Sequence, residues 1–178
     1  MPLRSLRAYL KRGGVIAYAT ESCFGLGCDP RNVRAVRHLL KLKGRPQSKG
    51  LILIGSDVAQ FRRYLAPLPE ILDFSAWWPG PVSVLLPRAK QCPRWLTGHH
   101  AKLAVRVTAH ASARKLCHQL GMPLVSTSAN LAGHVPLKTA AACRRQFGTQ
   151  VRVLEGAIGQ RKRPSTLIDT ENGRILRS

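Results

Sequence analysis

The sequence predicts an α/β fold: a single domain over residues 1–178 with a mixed β-sheet flanked by helices. Two observations carry that expectation. Helix-spaced apolar stretches alternate with short β-rich runs along the chain, which makes parallel neighbours by crossover. The last dozen residues read as a hairpin, which adds an antiparallel pair. No composition shift or linker divides the chain.

Leu3, Leu6, Tyr9 and Leu10 recur at helical spacing, and Gly13-Gly14 stop that helix before the strand run VIAYAT. In YATESCFGLG (18–27) polar Thr20, Glu21 and Ser22 follow the strand, and Gly25 and Gly27 permit close backbone approach. Asn32 caps a second helix that presents Val33, Val36, Leu39 and Leu40 on one face and ends near Gly44. LILIG (51–55) is then a buried strand.

SDVAQFRRYL (56–65) and LPEILDFSAWW (68–78) read as helical, VSVLL and LAVRV as strands, and SARKLCHQLG as a helix closed by Gly121. LVSTSAN (124–130) begins as a strand, and Thr139 caps a helix reaching Phe147. VRVL is a further strand, and TLIDTENGRILR turns at Asn172-Gly173, which tolerates the positive φ of a tight hairpin.

The balance of 29 Lys+Arg against 8 Asp+Glu gives a net charge of +21, which favours anionic partners such as nucleotides or nucleic acid. Five cysteines, none in C-x-x-C spacing, suggest neither a disulfide framework nor a zinc cluster. The six histidines form no metal motif, so no metal site is expected, and His99-His100 reads as a surface loop. The N-terminus has no continuous apolar h-region and no stretch approaches a membrane span, which makes the cytoplasm the expected compartment.

LLKLKGRPQSKGLILI (39–54) sets Lys41, Lys43, Arg45 and Lys49 on one short turn between a helix end and a strand. Those cations fit a solvated helix C-terminus, where they complement the dipole. They equally fit a ligand site, because α/β folds bind at sheet edges and a phosphate needs charge neutralised at fixed positions. Similarly, the hydroxyls and amide of STSAN at a strand exit fit either a plain Ser/Thr turn or a polar-ligand cradle. There is no G-x-x-x-x-G-K-[ST], so a nucleoside triphosphate would bind outside the P-loop scheme. With eight acids and no evident carboxylate dyad, any reaction leans on cationic stabilisation.

Taken together, YATESCFGLGCDP, LKGRPQSKGLILI, WWPGPVSVLLP, RWLTGHHAKLAVRVTAH, PLVSTSANLAG and PSTLID stand in an order that resembles the YrdC family, the threonylcarbamoyl-AMP synthases, in its short bacterial form. The resemblance covers nearly the whole chain and implies a twisted open mixed sheet. It also implies synthesis of threonylcarbamoyl-AMP and pyrophosphate from ATP, L-threonine and bicarbonate or CO₂, with Mg²⁺ carried on the triphosphate. A separate transferase complex would then pass the threonylcarbamoyl group to tRNA.

By that resemblance Lys43 and Arg45 form a K-x-R signature at the phosphates and the carbamate, with Lys49 near the triphosphate. Ser128 and Asn130 would hold the nucleotide. Thr20, Ser22, Ser126 and Ser165 would contact threonine, and Arg106 would pair with its carboxylate. Arg174 or Arg177 would close over the nucleotide. Ala19, Phe24 and Ser83 depart from the family's usual Pro, Tyr and Thr. Without the additional C-terminal domain of longer Sua-type relatives, closure is expected from this domain or from partners.

The competing expectation is a non-catalytic RNA-binding module, for which QRKRP (160–164) and the series Arg31, Arg34, Arg37 would form the basic surface. On either reading the K-x-R turn is expected to add little to the core.

Overall fold

The computed structural model describes residues 2–69 and 73–177. Helix α1 (Leu3–Lys11) buries Leu6 and Leu10, and the chain then enters β1 (Ile16–Ala19), whose four residues are all buried. Burial on both faces follows from alternation. Ile16 and Tyr18 join one apolar cluster, with Leu6 and Leu10 and with Ala113, Cys117 and Leu120 of α4 (Ala111–Leu120). Ala17 and Ala19 join the other, with Val36, Leu39 and Leu40 of α2 (Val33–Lys43) and Cys143 and Phe147 of α5 (Ala140–Phe147). Helices therefore cover both faces of the sheet.

The remaining elements are β2 (Phe24–Cys28), β3 (Ile52–Gly55), β4 (Val82–Pro87), a four-residue helix α3 (Arg94–Thr97), β5 (Lys102–Val107), β6 (Leu124–Ser128), β7 (Arg152–Val153), β8 (Thr166–Asp169) and β9 (Ile175–Arg177). Among the described residues nine strands form one sheet in the order β7-β1-β2-β6-β3-β5-β4-β8-β9. Pairs β1–β7, β3–β5 and β4–β8 are parallel and the other five antiparallel, so the sheet is mixed as expected.

The capping signals act as expected. The Asn32 side chain accepts from the Ala35 N–H, the Thr139 side chain from that of Ala142, and Gly44 ends α2 in the left-handed region at φ 61°. That glycine turns the chain sharply enough to bring Arg45 back toward the sheet.

Three expectations are corrected. FGLGC, a glycine-bearing stretch after a strand, is itself an interior strand, β2, paired on both sides; its neighbours supply the ladder that its own propensity does not. SDVAQFRRYL holds only a 3₁₀ turn over Val58–Phe61, because the Tyr64 carbonyl accepts from the Ala89 N–H and Ala66, just beyond the segment, donates to the Pro87 carbonyl. Of LPEILDFSAWW, residues 70–72 lie outside the described residues. From Asp73 onward it forms turns held by Asp73–Ser75 hydrogen bonds and by Phe74 stacked on Trp78 at 4.6 Å. The short helix α3, which the apolar pattern did not mark, starts after Pro93, and VRVL contributes only two residues to its strand.

Candidate active site

Strand register assembles the floor of a cavity. Gly25 pairs with Ser128, Gly27 and Ile52 each with Ser126, and Ile54 with Arg106, so these residues share the face on which α1 and α4 pack. Beyond the helices that face opens into a cavity of about 370 Å³, within the range of small-molecule sites. Its walls come from the β1–β2 turn, the turn after α2, the segment 135–138, the loop 162–165 and the chain end at Arg177.

The lining includes Thr20, Ser22, Arg45, Arg106, Ser126, Ser128 and Ser165, seven of the residues singled out in the sequence. Three guanidiniums, those of Arg45, Arg106 and Arg177, converge there with Lys138 and Lys162. Burial lowers the Arg45 pKa. It also lowers that of Arg177, and the charges of Arg106 and Arg45 push Arg177 down further. Nε of Arg45 and Nε of Arg106 are both buried without a hydrogen-bond partner. Buried donors are almost always paired, so two unpartnered guanidinium N–H groups among the lining residues suit an anionic ligand.

Glu21 counters this charge. One carboxylate oxygen accepts from Thr108 Oγ1 at 2.7 Å and from the Ala109 N–H at 3.3 Å, and the other lies 3.4 Å from Nη2 of Arg106. Burial alone would raise its pKa, but Arg106 and the Thr108 bond outweigh burial and hold it below the usual carboxylate range. Glu21 therefore holds Arg106 through Nη2 and leaves its buried Nε–H without a partner.

Lys43 is placed behind the wall rather than in it. It is 4% exposed, and its ammonium donates to the carbonyl of Ser128, to the carbonyl of Asn130 at 2.9 Å and to Asn130 Oδ1 at 3.0 Å. An ammonium has three N–H groups, so the K-x-R turn is bonded to the S-x-N turn through all of them. Burial, helped by the charge of Arg45, lowers its pKa to about 8. Asn130 is likewise engaged internally: its Oδ1 also accepts from Ser128 Oγ at 2.6 Å, and its Nδ2 donates to the carbonyls of Leu131 and His134. The expectation that this turn adds little to the core is thus corrected, because Lys43 is itself a buried, fully bonded tie.

Lys49 and Arg174 are exposed and outside the lining. Arg177 instead reaches in, with Nε bonded to the Ser165 carbonyl at 2.9 Å and Nη2 to Ser165 Oγ at 2.8 Å. Ser165 Oγ also lies 3.2 Å from Ser83 Oγ, so serine at this departure keeps the hydroxyl contact. At Ala19 the turn holds without proline, because Thr20 bonds the Cys23 carbonyl through both its N–H (3.0 Å) and its Oγ1 (2.8 Å). Phe24 is fully buried.

Sequence reasoning gave no role to Glu21 or Lys138, and it placed Lys162, within QRKRP, on a basic surface for RNA rather than in the cavity. The available signal was that Glu21 directly precedes Ser22 in a polar turn, whereas nothing local marks Lys138 or Lys162.

Among the described residues no group of three or more His, Cys, Asp or Glu could hold a metal ion, and no helix is long and apolar enough to cross a membrane. Comparisons with known proteins show the family and the fold. The chain is 54% identical over 175 residues to the threonylcarbamoyl-AMP synthase of Thiobacillus denitrificans, covering 97% of this chain and 93% of that one. It is 53% identical over 173 residues to the synthase of the same name from Chromobacterium violaceum, covering 96% and 90%. It superposes on the crystal structure of P. abyssi Sua5 complexed with L-threonine with a TM-score of 0.86 at 29% identity, covering 94% of this chain and 50% of that one. Residues 8–178 match the Sua5/YciO/YrdC family model, described as "Telomere recombination", and the chain belongs to that family.

Proposed function

We propose that this protein is a threonylcarbamoyl-AMP synthase, an ATP-using nucleotidyltransferase that serves threonylcarbamoyladenosine modification of tRNA. The observation that carries the reading is the pair of orphaned guanidinium Nε groups of Arg45 and Arg106, in a cavity also lined by Ser22, Ser126 and Ser165. The relatives named for this activity and the threonine complex of a family member support it.

The chemistry asks the protein for position and charge. The free-base amine of threonine adds to CO₂ and loses a proton, giving a carbamate. One carbamate oxygen then attacks the α-phosphorus of ATP, and the bond to the bridging oxygen of the β-phosphate breaks to release pyrophosphate. Both reactants are anions, so the main requirement is to hold them together while neutralising their charge. Arg106, oriented by Glu21, takes the threonine carboxylate. Ser22, Ser126 and Ser165 surround the amino acid, with Thr20 bracing the turn that carries Ser22.

Arg45, Ser128 and Arg177 face the nucleotide, and Lys43 acts from behind by fixing the turn that presents Ser128. Lys49, from the exposed rim, adds charge at the outer phosphates. Mg²⁺ would arrive bound to the triphosphate, with no cluster of three protein ligands to hold it among the described residues.

The product would pass to a threonylcarbamoyl transferase complex, with the cytoplasm as the proposed compartment. Among the described residues none of the five helices carries an acidic residue, and this supports contact with RNA or with an acidic partner as a secondary property.

The test is pyrophosphate release from ATP and bicarbonate by the purified protein, with and without L-threonine and with L-serine as control. Release that depends on threonine is expected. Folded protein that releases none under any condition, yet binds RNA with a steep salt dependence, would replace this reading with the RNA-binding one.

A further inference from the structure

Tyr18 has no part in the account above. Its side chain is 3% exposed, and its hydroxyl donates to Ser126 Oγ at 2.7 Å. The ring reaches Ser126 only by crossing Gly27. A Cβ on that residue would stand 2.7 Å from Tyr18 Cε1 and 2.8 Å from the Val125 carbonyl oxygen, so a side chain there would meet both the ring and a strand backbone. Burial, with a contribution from Cys117, raises the Tyr18 pKa far above its usual value, so the hydroxyl stays protonated.

A serine hydroxyl has one hydrogen and two lone pairs. Tyr18 fills one lone pair of Ser126, and among the described residues no protein acceptor takes the hydrogen. A hydroxyl that accepts a strong bond becomes a better donor through the same chain. Ser126 lines the cavity, and across β3 the register places it two residues along, on the same face, from Arg106, whose buried Nε–H also lacks a partner.

We infer that Tyr18 is a positioning residue that fixes Ser126 as a hydrogen-bond donor to the carboxylate of the amino-acid substrate, beside the Nε–H of Arg106. The inference rests on the threonine-binding reading of this cavity. It gives a buried tyrosine with no path to the reacting atoms a defined influence on amino-acid affinity.

The test is calorimetric titration of L-threonine and of ATP into wild-type protein, Tyr18→Phe, Ser126→Ala and the double variant. It is paired with competition by L-threoninol, which has a CH₂OH in place of the carboxylate. Phenylalanine keeps the ring over Gly27, so Tyr18→Phe removes only the donor.

Tyr18→Phe is expected to weaken L-threonine about fivefold to tenfold, the size of one hydrogen bond, while ATP affinity is unchanged. KM for threonine rises with it and kcat stays within about twofold, as for lost ground-state binding. L-threoninol is weakened less than L-threonine, and in the Ser126→Ala background the same substitution changes little.

Equal weakening of both amino-acid ligands, weakening of ATP as well, or the full loss in the Ser126→Ala background would each overturn the inference and leave Tyr18 as packing. Wild-type protein that binds L-threonine while Tyr18→Phe matches it overturns this inference alone. Wild-type protein that binds no L-threonine overturns the cavity reading and this inference together.

Discussion

The ammonium of Lys43 donates to both oxygens of Asn130, the backbone carbonyl at 2.9 Å and the side-chain carbonyl at 3.0 Å, from a position 87 residues earlier in the chain. The K-x-R turn and the S-x-N turn are therefore one bonded unit. The bond also changes what a substitution at Lys43 tests, because the side chain supports the site and the fold at once.

Lys43→Met is expected to lose pyrophosphate release and to destabilise the protein by about 1–3 kcal/mol, since it removes a donor shared by three part-buried acceptors. Urea denaturation measures the second effect. An unchanged midpoint would show that the acceptors re-pair, and the loss of activity would then belong to the lost charge alone.

The same ammonium predicts an alkaline limb in the rate. Burial and the charge of Arg45 bring its pKa down to about 8, so it is protonated below that pH and loses its charge above it. With saturating threonine and ATP, kcat is expected to fall as pH rises through this range. A guanidinium stays charged there, so Lys43→Arg, where it folds and turns over, should lack the limb. A limb of equal position in both proteins would assign it elsewhere.

Glu21→Gln separates orientation from charge. The carboxyl is held below its ordinary pKa in the fold, so its contribution to stability is complete above the ordinary value and is lost as pH falls through the lower, folded one. Glutamine has no such titration. The variant should be less stable than wild type at neutral pH and should lose less on acidification, as read by melting temperature against pH. KM for threonine should rise several-fold as Arg106 is freed; an unchanged KM would show that Arg106 keeps its orientation without the carboxylate.

The chain end distinguishes two arginines. Arg177 bonds Ser165 inside the cavity, whereas the Arg174 backbone N–H bonds Asn172 Oδ1 in the exposed hairpin turn. Arg177→Ala is expected to lower kcat/KM at least tenfold, the loss of about 1.4 kcal/mol of charge-assisted bonding in the transition state. Arg174→Ala should stay within about twofold. The reverse order in steady-state assays would mean that the hairpin rearranges on binding.

Local chemistry wrote a good part of this protein into its sequence. Asn32, Thr139, Gly44 and Gly121 mark helix ends because capping needs only a side-chain oxygen or a left-handed residue at one position. The Asn172-Gly173 hairpin and the strands LILIG and LAVRV were legible for the same reason, and the ordered motifs named the family. The SDVAQFRRYL segment misled because its apolar spacing fits a helix while its neighbours offer a ladder at Pro87 and Ala89, and tertiary pairing won.

What only the tertiary structure decided is which of these residues face one another. β2 is a strand because β1 and β6 flank it, and glycine at 27 makes sense only once the Tyr18 ring crosses it to reach Ser126, 108 residues away. Glu21 acquires its role from Arg106 in another strand, and Lys162 reaches the cavity wall from a loop that reads as surface. Sequence fixes residue types and local backbone preference. Hydrogen-bond partnership and burial between distant segments depend on sheet order and register, which no local pattern contains.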